Sequence, residues 1–137
     1  MTQVREAMTS NPHTVTADSS IAEAARLMRD EDTGIAPITE GQHLVGVVTD
    51  RDVAIKVVAE GKDPQTTKVT QIASSNLVTV DPEQDLDEAL RLMAEHQVRR
   101  LPVVEEDGKL VGILAQADVA HHADAARTGE VVEEISK

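Results

Sequence analysis

The stretch Leu44-Val45-Gly46-Val47-Val48-Thr49-Asp50-Arg51-Asp52-Val53-Ala54 is written twice in this chain, the second time as Leu110-Val111-Gly112-Ile113-Leu114-Ala115-Gln116-Ala117-Asp118-Val119-Ala120. An apolar run closed by a polar turn and a carboxylate reads as a strand handing over to a helix. Upstream, residues 4–40 lie on residues 69–105 at one constant offset. Val4 meets Val69, Asn11 meets Asn76, and Thr14-Val15 meets Thr79-Val80. Glu23-Ala24 meets Glu88-Ala89, Arg26-Leu27-Met28 meets Arg91-Leu92-Met93, and Pro37 meets Pro102. One inserted residue in a turn, Gly41-Gln42-His43 against Glu106-Asp107-Gly108-Lys109, then shifts the register. The chain is an internal duplication, and a repeat of this length governs the choice of fold.

Both copies carry the same local pattern. A short extended piece (Thr14 to Thr16; Leu77 to Val80) leads into a helix with an apolar stripe: Ile21, Ala24, Ala25 and Met28 in the first copy, Leu86, Ala89, Leu90 and Met93 in the second. Asp18 to Ser20 cap the first helix, and Asp81-Pro82-Glu83 supplies a cap candidate and a starting proline for the second. A strand around Pro37-Ile38 or Pro102-Val103-Val104 follows, then a turn, a second strand (Leu44 to Val48; Leu110 to Leu114) and a last helix from near Asp50 or Gln116. Each copy therefore reads as β-α-β-β-α, and the chain as an α/β protein of two tandem repeats. The repeats span 1–61 and 62–122, with residues 59–68 as linker and 123–137 as a terminal helix or tail. Strands apolar on both faces are too many for one short copy to bury, so the two are expected to cover one another.

Composition narrows the function. The 137 residues include no Phe, Tyr, Trp or Cys. Without aromatic rings there is no platform for stacking single-stranded bases. With 13 Lys+Arg against 25 Asp+Glu, the formal charge of −12 repels phosphate backbones, so nucleic acid is not an expected partner. Without cysteine there is no disulfide, thiolate zinc site or Cys nucleophile. Apolar runs are short and the start, MTQVREAM, lacks a signal-peptide core, so the expectation is a soluble, cytoplasmic protein without a membrane partner. No Ser-His-Asp order, Gly-rich phosphate loop or paired catalytic carboxylates stand out, so no enzyme and no catalytic residue are expected. His13, His43 and His96 lack partners at ligand spacing, and His121-His122 are neighbours that diverge on a helix, so no metal is expected either.

Gly46-Val47-Val48-Thr49-Asp50-Arg51-Asp52 is similar to the CBS-domain signature, a glycine and two apolar residues followed by Ser/Thr and, three residues on, Asp. Arg99-Arg100-Leu101-Pro102-Val103-Val104 resembles the strand that precedes that signature. The resemblance covers most of residues 1–122 and implies a CBS-domain pair, a Bateman module: two CBS repeats packed with pseudo-twofold symmetry and two clefts between them. It also implies a stand-alone regulatory module that binds AMP, ADP, ATP or S-adenosylmethionine, requires no cofactor, forms a homodimer and signals to a separate effector protein. The helix faces Ile21, Ala25, Met28 and Leu86, Leu90, Met93 are expected to stay partly uncovered for that dimer.

A carboxylate at a helix start can accept hydrogen bonds from both hydroxyls of a ribose, which suits Asp52 and Asp118, and Thr49 can bond a ribose or phosphate oxygen. By the resemblance, Arg99 and Arg100 reach the phosphate of a nucleotide whose ribose Asp52 holds, their guanidinium forks suiting its oxygens. Adenine would lie near His13, Thr14 and Val15 and near Ile35 and Ala36. The second set is eroded: its hydroxyl position is Ala115, and its phosphate positions are the uncharged Gly34 and Ile35. Two readings stay open. Thr49 and Asp52 also form a capping box, which a helix start uses with no ligand at all. The same fold would equally serve a constitutive dimeric scaffold with empty clefts.

Overall fold

The computed structural model describes residues 2–74, 77–120 and 122; the tail expected at 123–137 and His121 lie outside the described residues. Among them, no helix is long and apolar enough to cross a membrane. In chain order the elements are α1 (Val4–Ala7), β1 (Thr9–Ser10), β2 (Val15–Thr16), α2 (Ile21–Asp30), β3 (Ile35–Glu40), β4 (His43–Thr49), α3 (Asp50–Asp52, widening into a π-helical stretch over Val53–Val58), a 3₁₀ turn (Val69–Gln71), α4 (Leu86–His96), β5 (Arg100–Val104) and β6 (Leu110–Ala115). Residues 116–120 are helical. The chain is a mixed α/β protein.

It divides into two compact units that do not follow chain order. Of the described residues, the repeat-1 unit holds those within Asn11–Leu77 and the turn Val104–Leu110; the repeat-2 unit holds those up to Ser10, Val78–Val103 and those between 111 and 122. Each repeat's leading segment thus packs in the unit of the other repeat's helix.

In the repeat-1 unit the sheet order is β2-β3-β4, with β2 parallel and β4 antiparallel to β3. The central strand is covered on both faces, and Ile35 to Thr39 are all buried. The segment before α4 seals this unit. Ile21 N–H donates to Thr67 O (2.9 Å) and Val69 N–H to Ser19 O (2.9 Å), while Ser74 bridges Val47 on β4. Val15, Ile21, Ala24, Met28, Ile38 and Val69 form its core with Val48, Val57 and Ile72. The turn after β5 joins here because Lys109 bridges His43.

The repeat-2 unit uses the same bonds with the chain's first residues. Leu86 N–H donates to Thr2 O (3.0 Å) and Val4 N–H to Gln84 O (2.8 Å). Thr9 pairs with Ile113 and Ser10 with Gly112, giving the order β1-β6-β5, and Val80 bridges Val103 in parallel. The leading segments also close alike: Gln3 N–H donates to Glu6 Oε2 (2.7 Å) and Lys68 N–H to Gln71 Oε1 (2.8 Å). Its core is Val4, Val80, Leu86, Ala89, Met93, Leu101, Val103, Leu114 and Val119.

Two local expectations change. α4 begins at Leu86 with Asp85 as its cap, its side chain accepting from Asp87 N–H (3.0 Å), rather than at Asp81-Pro82-Glu83. Asp81 instead closes the preceding turn, its Oδ1 taking Glu83 N–H (2.8 Å). Within the stretch Asp18 to Ser20 expected to cap α2, Ser20 is the cap, accepting from Glu23 N–H (3.2 Å). The helix stripes are also more covered than expected: Ile21, Met28, Leu86 and Met93 are buried inside their own units, and of those faces only Ala25 and Leu90 are exposed. Packing on the borrowed segment covers them. Among the described residues, the most exposed large apolar side chains lie beyond α3, where Ile55 is 48 % and Val58 69 % exposed.

On the outer face of α4, Arg91 pairs with Glu88 and reaches Glu95 at 3.6 Å. The hydrogen bond and charge of Arg91 hold the Glu88 carboxyl below the ordinary carboxylate range.

Candidate functional site

The end of β4 and the start of α3 place Thr49 and Asp52. Thr49 is extended, so its hydroxyl points back along the new helix and accepts Asp52 N–H at 3.1 Å. Asp52 answers, its Oδ2 accepting Thr49 N–H at 3.0 Å. The reciprocal pair satisfies two backbone donors that the helix start leaves without intrahelical partners. Asp52 Oδ1 lies 3.2 Å from Lys56 Nζ one turn on, and the Asp52 side chain stays 17 % exposed.

Strand register brings further residues to the same end of this sheet. Ile35 sits opposite Thr49 and Ala36 opposite Val48. Because β2 runs parallel to β3, His13 and Thr14 lie at the end where β3 begins. His13 is exposed and pairs with Glu31 (Nε2 to Oε1, 3.0 Å), and Thr14 Oγ1 accepts from Thr39 Oγ1 (3.2 Å). Val15 and Ala36 point into the core, so a ligand could meet only their backbone, and Ile35 is also buried. One end of the repeat-1 unit thus gathers His13, Thr14, Val15, Ile35, Ala36, Thr49 and Asp52.

Arg99, Arg100 and Asp118 belong to the repeat-2 unit. Arg100 opens β5 and is half-buried; Arg99 is exposed. Arg99 O accepts Gln116 N–H at 2.7 Å, which sets the arginine pair against the junction that carries Asp118. Ala115 there has no hydroxyl, so no capping box forms.

Sequence reasoning passed over two charged neighbours. Asp50 N–H donates to Gly34 O (3.0 Å), and its carboxylate packs so closely on Gly34 that a Cβ there would lie 2.9 Å from Asp50 Oδ2. A negative charge therefore fills the position that Arg99 occupies in the other unit, a contact between residues distant in sequence that no periodicity reports. Lys56 is the other, and its spacing of four from Asp52 on a helix was a readable signal. Among the described residues, no three His, Cys, Asp or Glu side chains gather where they could hold a metal ion.

Comparison with known proteins agrees with this geometry. The CBS domain family matches the chain twice, over residues 4–59 and 69–124. The CBS domain-containing protein YhcV of Bacillus subtilis is 42 % identical over 120 residues, covering 88 % of this chain and 84 % of that protein. The crystal structure of Hypoxic Response Protein I with two coordinated zinc ions superimposes with a TM-score of 0.81 at 39 % identity, over 88 % of this chain and 98 % of that one. The crystal structure of CBSX2 in complex with AMP gives 0.80 at 30 % identity, over 93 % and 99 %. With the signature complete at the first strand-to-helix junction, lacking only its hydroxyl at the second, and the family matched over each repeat, the chain belongs to the CBS-domain family as a tandem pair.

Proposed function

We propose that the chain is a regulatory module that senses an adenine nucleotide (AMP, ADP or ATP) and signals to a separate effector protein, without catalysing a reaction. The observation that carries this reading is the Thr49–Asp52 junction. Its carboxylate is partly exposed and oriented by the N–H of Thr49, the residue that sits opposite Ile35 on β3. Such a carboxylate has lone pairs left for two vicinal hydroxyls. In this proposal Thr49 and Asp52 take the ribose, Arg99 and Arg100 are the phosphate ligands, and the backbone from His13 to Val15 and at Ile35-Ala36 receives the adenine. Asp118 has a lesser part, since Ala115 offers no hydroxyl and Asp50 sets a negative charge on Gly34. The AMP bound to CBSX2 supports the ligand class. A homodimer and a cytoplasmic setting complete the proposal. Ala54, Ile55 and Val58, exposed beyond α3, are the apolar surface that a dimer would cover.

The scaffold reading has one observation in its favour: Thr49, Asp52 and Lys56 satisfy one another without a ligand. Equilibrium dialysis separates the two readings. The chain has no Trp, Tyr, Phe or Cys, so it is nearly silent at 260 nm, where adenine absorbs strongly. Retention of AMP, ADP or ATP with a Kd on the order of micromolar, about −8 kcal/mol, is expected, weakening as salt rises. Retention of none of them from a millimolar panel that also holds S-adenosylmethionine makes the scaffold the better reading.

A further inference from the structure

We propose that Lys56 is a positioning residue that ties the Asp52 carboxylate to the segment leading into the second repeat, so that the state of one is felt by the other. Its ammonium lies 3.2 Å from Asp52 Oδ1 and 3.3 Å from the carbonyl oxygen of Ile72. The first contact completes the hold on the carboxylate, since Oδ2 already takes Thr49 N–H. With a donor on each oxygen, the plane of the carboxylate is set before anything binds. The second contact falls at the end of the 3₁₀ turn that seals the repeat-1 unit. Ile72 is 3 % exposed, Ala73 N–H donates to Val69 O (2.9 Å), and Ser74 N–H donates to Val47 O on β4 (3.2 Å). Of three ammonium donors, one goes to the candidate ligand carboxylate and one to the backbone of the borrowed segment.

Lys56 itself sits in a widened turn. Ala59 N–H reaches back five residues to Ala54 O (2.9 Å), and such turns recur at functional positions in helices. Fixing Asp52 fixes Lys56, and fixing Lys56 holds Ile72. Coupling of this kind is reciprocal: whatever orders Asp52 orders residues 69–74, and the reverse. The ligand-dependent part rests on the proposal that Asp52 receives a ribose; the link between Asp52, Lys56 and Ile72 does not.

The test therefore has a ligand-free arm and a nucleotide arm. Hydrogen exchange at the Ala73 and Ser74 amides is measured in Lys56→Met, Asp52→Asn and the double variant, with Lys56→Arg as the conservative control. Each single change is expected to speed exchange about threefold to tenfold, the range for losing one hydrogen bond, with the double variant no faster than the quicker single and Lys56→Arg near wild type. Unchanged exchange in Lys56→Met, or effects of the two substitutions that simply multiply, overturns the link. In the nucleotide arm, AMP and 2′-deoxy-AMP are compared by dialysis. Lys56→Met is expected to lose most of the preference for AMP, and Lys56→Arg to keep it. An equal weakening of both ligands means that Lys56 only supports the fold and overturns its positioning role. Wild-type protein that binds neither nucleotide overturns the sensing function alone, and the exchange measurements still decide the link.

Discussion

The two strand-to-helix junctions share a backbone and differ in their side chains. Asp50 N–H donates to Gly34 O at one, and Gln116 N–H donates to Arg99 O at the other, so the chain turns the corner by the same hydrogen bond. At the first, Thr49, Asp52 and Lys56 form a connected set; at the second, Ala115 cannot cap, and a helix still starts at residue 116. The fold therefore does not require the Thr-Asp pair, because its duplicate manages without the hydroxyl. Under the proposed function, the ribose contact is assigned to the first junction because only it carries both the hydroxyl and the carboxylate.

The signature glycines differ in the same instructive way. Both lie where a borrowed leading segment crosses the strand. At Gly46 an added Cβ would be 3.5 Å from Ala73 Cβ and Ser74 O, an ordinary contact. At Gly112 it would be 2.5 Å from Met8 Sδ and 3.0 Å from Thr9 O. The methionine thioether can move, but the Thr9 carbonyl is part of β1. The largest effect is expected here. Gly112→Ala should destabilise by about 3 kcal/mol, the upper end for overpacking, and Gly46→Ala by well under about 1 kcal/mol. Denaturant unfolding of the two variants checks this, and equal losses would mean that the two crossings are equally close in solution.

Asp52→Ala and Arg100→Ala should each weaken nucleotide binding by about 2 kcal/mol, as for a lost hydrogen bond to a charged group, and Asp118→Ala by much less. Titration calorimetry that finds Asp52 and Asp118 equal would erase the difference between the junctions. Capping is a smaller term. Thr49→Ala should cost about 1 kcal/mol of stability, and Ala115→Thr should return part of that amount to the other junction if Asp118 can answer the new hydroxyl.

The smallest effect concerns the two long helices. Arg91 pairs with Glu88 on α4, whereas Arg26 and Glu23, at the matching positions of α2, are not an ion pair among the described residues. Arg91→Ala should therefore lower the melting temperature slightly and Arg26→Ala even less. Because Arg91 holds the Glu88 carboxyl below its ordinary value, its contribution is complete above the usual carboxylate range. It should vanish as the pH falls through the lowered value, which thermal melts from neutral to acid pH would follow.

Much of this architecture is legible in the amino-acid sequence. The duplication, the order β2-α2-β3-β4-α3, a cap within Asp18 to Ser20 and the Thr49–Asp52 box follow from local patterns, because apolar periodicity, turn residues and capping spacings act over a few neighbours; α1 and β1 do not, since only their pairing with the other repeat's residues defines them. The Asp85 cap is not legible in the same way, because Asp81 is also a carboxylate ahead of the apolar stripe. Only the turn that Asp81 closes distinguishes them.

What the amino-acid sequence determined by itself is the pair of similar α/β repeats, the two unequal junctions and the absence of stacking aromatics and thiols. What only the tertiary structure decided is which leading segment serves which helix. Residues 2–10 seal α4 and residues 67–74 seal α2 through matched hydrogen bonds, Thr2 and Thr67 accepting at their carbonyls and Val4 and Val69 donating their N–H. The two segments offer nearly the same donors, acceptors and apolar side chains, so local preference is indifferent to the exchange. The choice is made by long-range packing: Met8 against Gly112, Ala73 against Gly46, and the carbonyl of Ile72 within reach of Lys56.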